Sequence, residues 1–477
     1  MKKGDIIVDL VVETMAAEGK CLSRMDGMVI FLDGGAPGDT VDVQLTKIKS
    51  SFLEGRVTKI KQLSPIRSVP FCEHFGTCGG CSWQHIQYNT QLLYKEKQVV
   101  DNLERIGGLN LPTIQRILGA PQIRHYRNKL DYTFSAQRWL SFEEMLSRKA
   151  ATGNQWGEAE PALGYHIPKK YDLVFDVKHC HLQAEPSNAI RLAIKDEALK
   201  NNIPFFELRK QTGFLRTITI RTANSGEVMI ILQVTLDKIE WTEIIMSRLE
   251  KDFPEITSFQ YVINGKKNDT FSDLNILTWK GEGFITEKMP KAKGDGYLSF
   301  RIGPKSFYQT NSEQAFALYK IAFDMADLKG DELVYDLYTG TGTIANFVAG
   351  KAKKVIGLEY IAAAVEDAKV NSAINQITNT DFYAGDIKDL LDEEFITRHG
   401  RPDVVITDPP RAGMHEDVTR MLLKASPEKI VYVSCNPATQ ARDLKILSES
   451  YKITAVRPVD MFPHTMHVEN VVALEKG

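Results

Sequence analysis

Asp336-Leu337-Tyr338-Thr339-Gly340-Thr341-Gly342-Thr343 follows the apolar run Glu332–Leu337 and opens a helical segment. Glycine at two positions permits a tight turn and lets the backbone approach a ligand. Further apolar β-rich runs follow at Lys354–Leu358, Val404–Thr407 and Lys429–Ser434, with helical segments between them. Strands apolar throughout, alternating with helices, indicate an α/β fold with a parallel sheet covered on both faces. In such sheets ligands bind beyond the strand ends. Glu359 ends the second run, where a carboxylate can accept ribose hydroxyls, and Asp408-Pro409-Pro410-Arg411 follows the third.

Gly340-x-Gly342-x-x-Ala345 also satisfies the dinucleotide fingerprint, so a nicotinamide enzyme must be weighed. The unit lies late in the chain, with little sequence after it for a substrate domain. The Asp-Pro-Pro segment resembles the methyltransferase pattern more closely, which favours S-adenosylmethionine.

Ser434-Cys435-Asn436-Pro437 stands at the end of the fourth run. A strand-end cysteine is usually a small packed hydrophobe. Here polar neighbours and a proline break the strand and leave the thiol at the sheet edge, facing the expected cofactor. Farther on, Phe462-Pro463-His464-Thr465-Met466-His467-Val468-Glu469 precedes the apolar run Val471–Leu474. A thiolate and a carboxylate suit an enzyme that attacks a flat heterocycle and later removes a proton, and uracil shows why both are needed. Carbon 5 of uracil is a poor nucleophile, but thiolate addition at carbon 6 places electron density on it. A base must then remove the carbon 5 proton before the thiol can leave. His464 and His467 stand near Glu469 as other bases or as structural polar residues.

At 477 residues the chain should hold two or three domains. Its 43% hydrophobic and 25% charged fractions are ordinary for a soluble protein, and a net charge of −2 argues against whole-molecule attraction to nucleic acid. A local basic stretch exists: Lys47, Lys49, Arg56, Lys59, Lys61 and Arg67, against Glu54 alone. No apolar run spans a bilayer, and Asp9 interrupts the stretch after Met1-Lys2-Lys3, so the expected compartment is cytoplasmic. Six cysteines are too few for a disulfide scaffold, and the cluster Cys72-x5-Cys78-x2-Cys81 points to metal.

Ile6–Val12, Met28–Leu32, Val41–Ile48 and Gly55–Ile60 read as strands of a small OB-type barrel, with an SH3-like barrel as the other reading. A helix from about Thr90 to Ile106 carries the apolar stripe Leu92, Leu93, Val99, Val100, Leu103 and Ile106. Lys129–Ser135, Leu215–Arg221 and Val228–Leu236 are β-rich, whereas Phe142–Glu160 lacks periodicity and reads as a surface insertion. Three domains follow, over 1–62, 63–298 and 299–477.

These motifs together resemble the RNA uracil-5-methyltransferases of the ribosomal RNA type, which carry a TRAM domain and an iron–sulfur cluster. Pro37-Gly38-Asp39, Tyr126-Arg127-Asn128-Lys129 and Phe307-Tyr308-Gln309-Thr310-Asn311 extend the match along the chain. The resemblance implies a TRAM barrel, a central α+β iron–sulfur domain and a Rossmann-like class I methyltransferase domain. It implies that Cys435 is the nucleophile and Glu469 the base. It makes Gln309, Tyr338, Glu359 and Asp408 the S-adenosylmethionine contacts. Cys72, Cys78, Cys81 and Cys180 become ligands of a [4Fe–4S] cluster, where spacing alone leaves zinc equally open. The helix after the cysteine loop is expected on the catalytic domain. The partner implied is 23S rRNA, gripped by the barrel and by Arg124, Arg127 and Lys129, with the target base flipped out. No membrane or obligate protein partner is implied, and a monomer is expected. The alternatives are the same chemistry on tRNA, a non-catalytic RNA-binding protein and an amino-group methyltransferase. Arg411 stands where the last would place an aromatic, and Thr339 stands where relatives often have cysteine, a change expected not to matter.

Overall fold

A computed structural model describes all residues except 17–18, 154–159, 169 and 171. The first 62 residues form a six-stranded sheet. Ile6–Val11 pairs with Thr40–Ile48, and its continuation Thr14–Met15 pairs with Cys21–Met25, so one piece of chain joins both edges and the sheet closes on itself. Leu10, Ile30, Leu32, Val41, Val43 and Leu53 fill the interior. Among the basic residues of this region, Lys47, Lys61 and Arg67 are committed to ion pairs with Glu54, with Asp9 and Asp42, and with Asp39. That reduces the charge available to a phosphate backbone.

The central sheet runs in the order Leu277–Gly281, Ile256–Ile263, Val228–Val234, Leu215–Thr222, Lys129–Ser135, Ala162–His166, Val174–Asp176. Helices Ser187–Lys200 and Ile239–Asp252 cover one face, with Ile190, Ile194, Ile245 and Leu249 packed on Ile218 and Ile220. The expected insertion proves partly helical: Phe142–Thr152 is a helix whose Ser141 and Glu144 form a reciprocal capping box. The Ser-x-x-Glu signal supplies the order that apolar periodicity does not. The rest of that stretch includes residues outside the described set. The hairpin Ile285–Pro290/Tyr297–Ile302 is paired end to end, so the expected junction at 298–299 falls inside it.

The C-terminal sheet has seven strands. Numbered in chain order from Leu333–Leu337, they lie 3-2-1-4-5-7-6. The first five are parallel, and Glu469–Lys476 runs antiparallel beside Lys429–Ser434. Side chains alternate between two cores: Val334, Ile406 and Val431 feed one, Tyr335, Val405 and Tyr432 the other. Helix Tyr88–Arg105 belongs to the second core, with Val99 and Leu103 packed among Ala441, Leu444 and Leu447. Deleting such a buried leucine side chain costs roughly 2–5 kcal/mol, so this contact firmly ties the helix to the C-terminal sheet. Its buried stripe is Gln91, Lys95, Val99 and Leu103, while Leu93 and Ile106 are 53% and 49% exposed. Among the described residues no helix is long and apolar enough to cross a membrane.

Candidate active site

Parallel strands end together, so Leu337, Glu359, Thr407 and Ser434 reach one sheet edge. Glu469 reaches the same edge because it begins an antiparallel strand, with Asn470 opposite Ser434. Cys435 comes just before helix Pro437–Leu447, whose N-cap Asn436 accepts from the Ala438 amide and whose first residue is proline. The helix N-terminus therefore presents its positive end near the thiol. Asn436 Nδ2 and Thr439 Oγ1 both donate to the Arg411 carbonyl, at 3.0 and 3.2 Å, joining the Asp-Pro-Pro-Arg turn to the cysteine turn.

Cys435, Glu469 and Asp408 are brought together. Burial, then the charges of Glu469 and Asp408, push the Cys435 thiol up to about 11, while the Arg411 guanidinium hydrogen-bonds it and pulls the other way. Burial and Asp408 raise Glu469 to about 8. Glu469 is 3% exposed, and its Oε2 has no hydrogen-bond partner in the protein. Burial raises Asp408 to about 7. His464 and His467 are both lowered to about 4, chiefly by burial, which makes them weak bases. Arg411 Nη2 lies 2.6 Å from His467 Nδ1, so that histidine orients the guanidinium.

The glycine turn lies beside this group. Gly340 has φ +55°, and a Cβ there would meet nothing within 4 Å, leaving its surface open. Gly342 differs: at φ +76° a Cβ would come within 2.9 Å of Ala368 Cβ, so this glycine serves helix packing. Glu359 accepts from the Gly340 and Ile361 amides at 3.1 and 2.9 Å. Its carboxylate thus holds the turn, and it retains lone pairs for a ribose. Asp336 accepts from Thr339 Oγ1 and from the Ala345 amide, while its buried Oδ1 has no partner. The Thr339 hydroxyl thereby orients Asp336. Gln309 is buried and hydrogen-bonds Tyr319, whose phenol lies among the charges of Asp408, Asp336 and Glu469. The Tyr338 phenol oxygen accepts from the His415 main chain, and the ring packs against the second core. Sequence reasoning gave no site role to Tyr319, Asp336 or Arg411. Asp336 carried a signal as the first residue of the glycine-turn stretch and Arg411 as the residue directly after the two prolines, whereas Tyr319 carried none.

Cys72, Cys78, Cys81 and Cys180 line one cavity with Tyr165 and His181. Burial is the first cause raising Cys72, Cys78 and Cys81, and their mutual charges add to it. Among the described residues, however, no three His, Cys, Asp or Glu side chains are gathered as a metal-ion site. The four thiols expected as cluster ligands therefore share a cavity without meeting the geometry of a single-ion site. Arg124 stacks on Phe71 at 3.9 Å, Arg127 lies over Phe462 at 5.3 Å, and Lys129 pairs with Asp131 at 3.3 Å.

Comparison with known proteins bears on this geometry. The family described as tRNA (Uracil-5-)-methyltransferase matches residues 280–477, and the TRAM domain matches 7–58. An uncharacterized RNA methyltransferase of Bacteroides thetaiotaomicron is 53% identical, covering 97% of this chain and 100% of its own. One from Porphyromonas gingivalis is also 53% identical, covering 97% and 98%. Among solved structures, Pyrococcus abyssi tRNA (uracil-54, C5)-methyltransferase in complex with S-adenosyl-L-homocysteine is similar, with a TM-score of 0.73 and 27% identity. That likeness covers 97% of this chain and 99% of the other.

Proposed function

Because the chain belongs to the tRNA (uracil-5-)-methyltransferase family of S-adenosylmethionine-dependent RNA methyltransferases, we propose that it methylates carbon 5 of a specific uridine in 23S rRNA. The observation that carries the reading is the buried Glu469 carboxyl, with an unpartnered oxygen, acting electrostatically on the Cys435 thiol. Cys435 Sγ adds to uracil carbon 6, and the displaced electron pair moves toward carbon 5 and the carbonyl at carbon 4. Bound S-adenosylmethionine supplies an electrophilic methyl group to carbon 5. Glu469 takes the carbon 5 proton, the pair re-forms the 5,6 double bond, and the thiolate leaves. Arg411 steadies the thiolate and His467 steadies Arg411. Gln309, Tyr338, Glu359 and Asp408 are the residues proposed to hold the cosubstrate. The open face of Gly340 and the unpartnered Asp336 Oδ1 fit a polar, nucleoside-bearing ligand.

The rRNA reading rests on the resemblance of the barrel and cysteine loop to the ribosomal type. The full-length likeness to an archaeal tRNA enzyme favours a second reading, because the barrel is then common to both substrates. A 23S fragment is expected to accept methyl groups at least tenfold faster than a tRNA T-loop. The reverse preference, read by mapping 5-methyluridine on both RNAs, would install the tRNA reading.

A [4Fe–4S] cluster at Cys72, Cys78, Cys81 and Cys180 is part of the proposal. A cubane spaces its thiolates by its own breadth, more widely than a single tetrahedral ion does, and that suits thiols around a shared cavity. The four thiolates would hold it, and it would tie residues around Cys180 to the loop before helix Tyr88–Arg105. Protein purified without air is expected to contain about four irons per chain, and Cys72→Ser to lose them. Zinc without iron would reverse the assignment.

A further inference from the structure

Lys95 and Asp460 are fully buried, and their side chains meet at 2.6 Å. The pair joins helix Tyr88–Arg105 to loop 460–468, which leads directly into Glu469. Lys95 Nζ also donates to the Phe462 carbonyl at 3.0 Å. Tyr88 donates to the other Asp460 oxygen at 2.9 Å. One turn away, the Gln91 carboxamide accepts from the His464 amide at 2.9 Å and lies 3.1 Å from His464 Nδ1. Gln91 also donates to the Trp83 and Ile86 carbonyls. His464 has φ +63°, a left-handed conformation costly outside glycine that needs outside support. Its carbonyl accepts from the Ser82 and Trp83 amides at 2.9 Å each.

Other elements hold the same loop. Tyr126 donates to the Pro463 carbonyl, Asn311 to that of Met461 and Gln314 to that of Asp460. Burying a charged pair between apolar residues adds little to stability alone, because apolar side chains of equal volume often do as well. What the pair supplies is a fixed register between helix and loop.

We propose that Lys95 and Gln91 are positioning residues that clamp loop 460–468 and thereby hold Glu469 against the substrate-bearing Cys435. The inference rests on Glu469 being the base. It separates two steps of the reaction. Cys435 sits on its own turn, so addition to uracil proceeds without the clamp. Proton removal from carbon 5 does not.

Lys95→Met alone leaves the Asp460 charge buried and unpaired, and lowered stability would obscure the result. The test therefore uses Lys95→Met/Asp460→Asn and Gln91→Leu, with Lys97→Met on the exposed side of the same helix as control. In the double variant, calorimetric affinity for S-adenosylhomocysteine should stay within about twofold of wild type. Trapping of 5-fluorouridine RNA should stay within about threefold. On ordinary RNA, product release should slow at least tenfold and a methylated covalent complex should accumulate, as in Glu469→Gln. Gln91→Leu should show the same signature more weakly, and Lys97→Met none. A double variant that releases product at the wild-type rate, beside a Glu469→Gln that traps, overturns the clamp alone. Parallel loss of cosubstrate binding and 5-fluorouridine trapping overturns it too, since that marks general structural damage. If Glu469→Gln itself turns over freely, the base assignment falls and takes the clamp with it.

Discussion

Cys435→Ala is expected to lower 5-methyluridine formation on the order of 10⁴-fold or more, because the variant removes the group proposed to add to uracil carbon 6. Cosubstrate affinity should hardly move, since the thiol is not among the residues proposed to hold the cosubstrate. The sharper readout is covalent. RNA carrying 5-fluorouridine at the target should trap wild-type protein through Sγ, because fluorine replaces the proton that must leave. The alanine variant should form no adduct. The thiol is held at about 11 by burial and by its two carboxylate neighbours, so its thiolate is a minor species before substrate binds. A thiolate remains a strong nucleophile at low population. Adduct formation by wild type should accordingly quicken as pH rises from 7 to 9. An alanine variant retaining even a few per cent of activity would mean that addition to carbon 6 is not required.

Sequence made the catalytic sheet legible because its strands are apolar on both faces. Val404–Thr407 and Lys429–Ser434 have the same bounds in sequence and structure. Cys21–Met25 is different: Ser23 and Arg24 interrupt its apolar pattern, and pairing with Met28–Asp33 makes it a strand. Helix Tyr88–Arg105 was legible as a helix and only in part in its orientation. The expected stripe shares Val99 and Leu103 with the buried face but departs from it at Leu93 and Ile106, because that face continues through Gln91 and Lys95. Their partners Asp460 and His464 lie more than 360 positions away, beyond any local pattern. The same limit explains Tyr319 and the Arg411–His467 contact, which exist only once separate elements meet. The sheet-edge position of Cys435 and Glu469, as distinct from their roles, was legible for the opposite reason. Each stands at an abrupt break beside an apolar run, and strand ends in open α/β sheets are where ligands go.

Glu469→Gln is expected to uncouple methyl transfer from release. Glutamine keeps the shape but cannot take a proton, so Cys435 should still add and carbon 5 should still be methylated. Elimination should slow about 10²–10⁴-fold, and a methylated protein–RNA complex should persist on ordinary RNA, visible as a band resistant to denaturation. The pH dependence carries a sign. Burial and Asp408 raise Glu469 to about 8, and the base works only when ionised, so wild-type release should climb from pH 6 and level off above 8. That limb should vanish in the variant. Stability should move the other way. A carboxyl raised in the folded state contributes stability below its ordinary range and loses it as pH rises through the folded value. Wild type should therefore weaken between about pH 5 and 8, and Glu469→Gln should not follow it, the gap being on the order of a few kcal/mol. His464 and His467, both lowered to about 4, are ionised too little near neutrality to show such a limb. Rapid release by Glu469→Gln with an unchanged pH profile would therefore move the base away from all three residues.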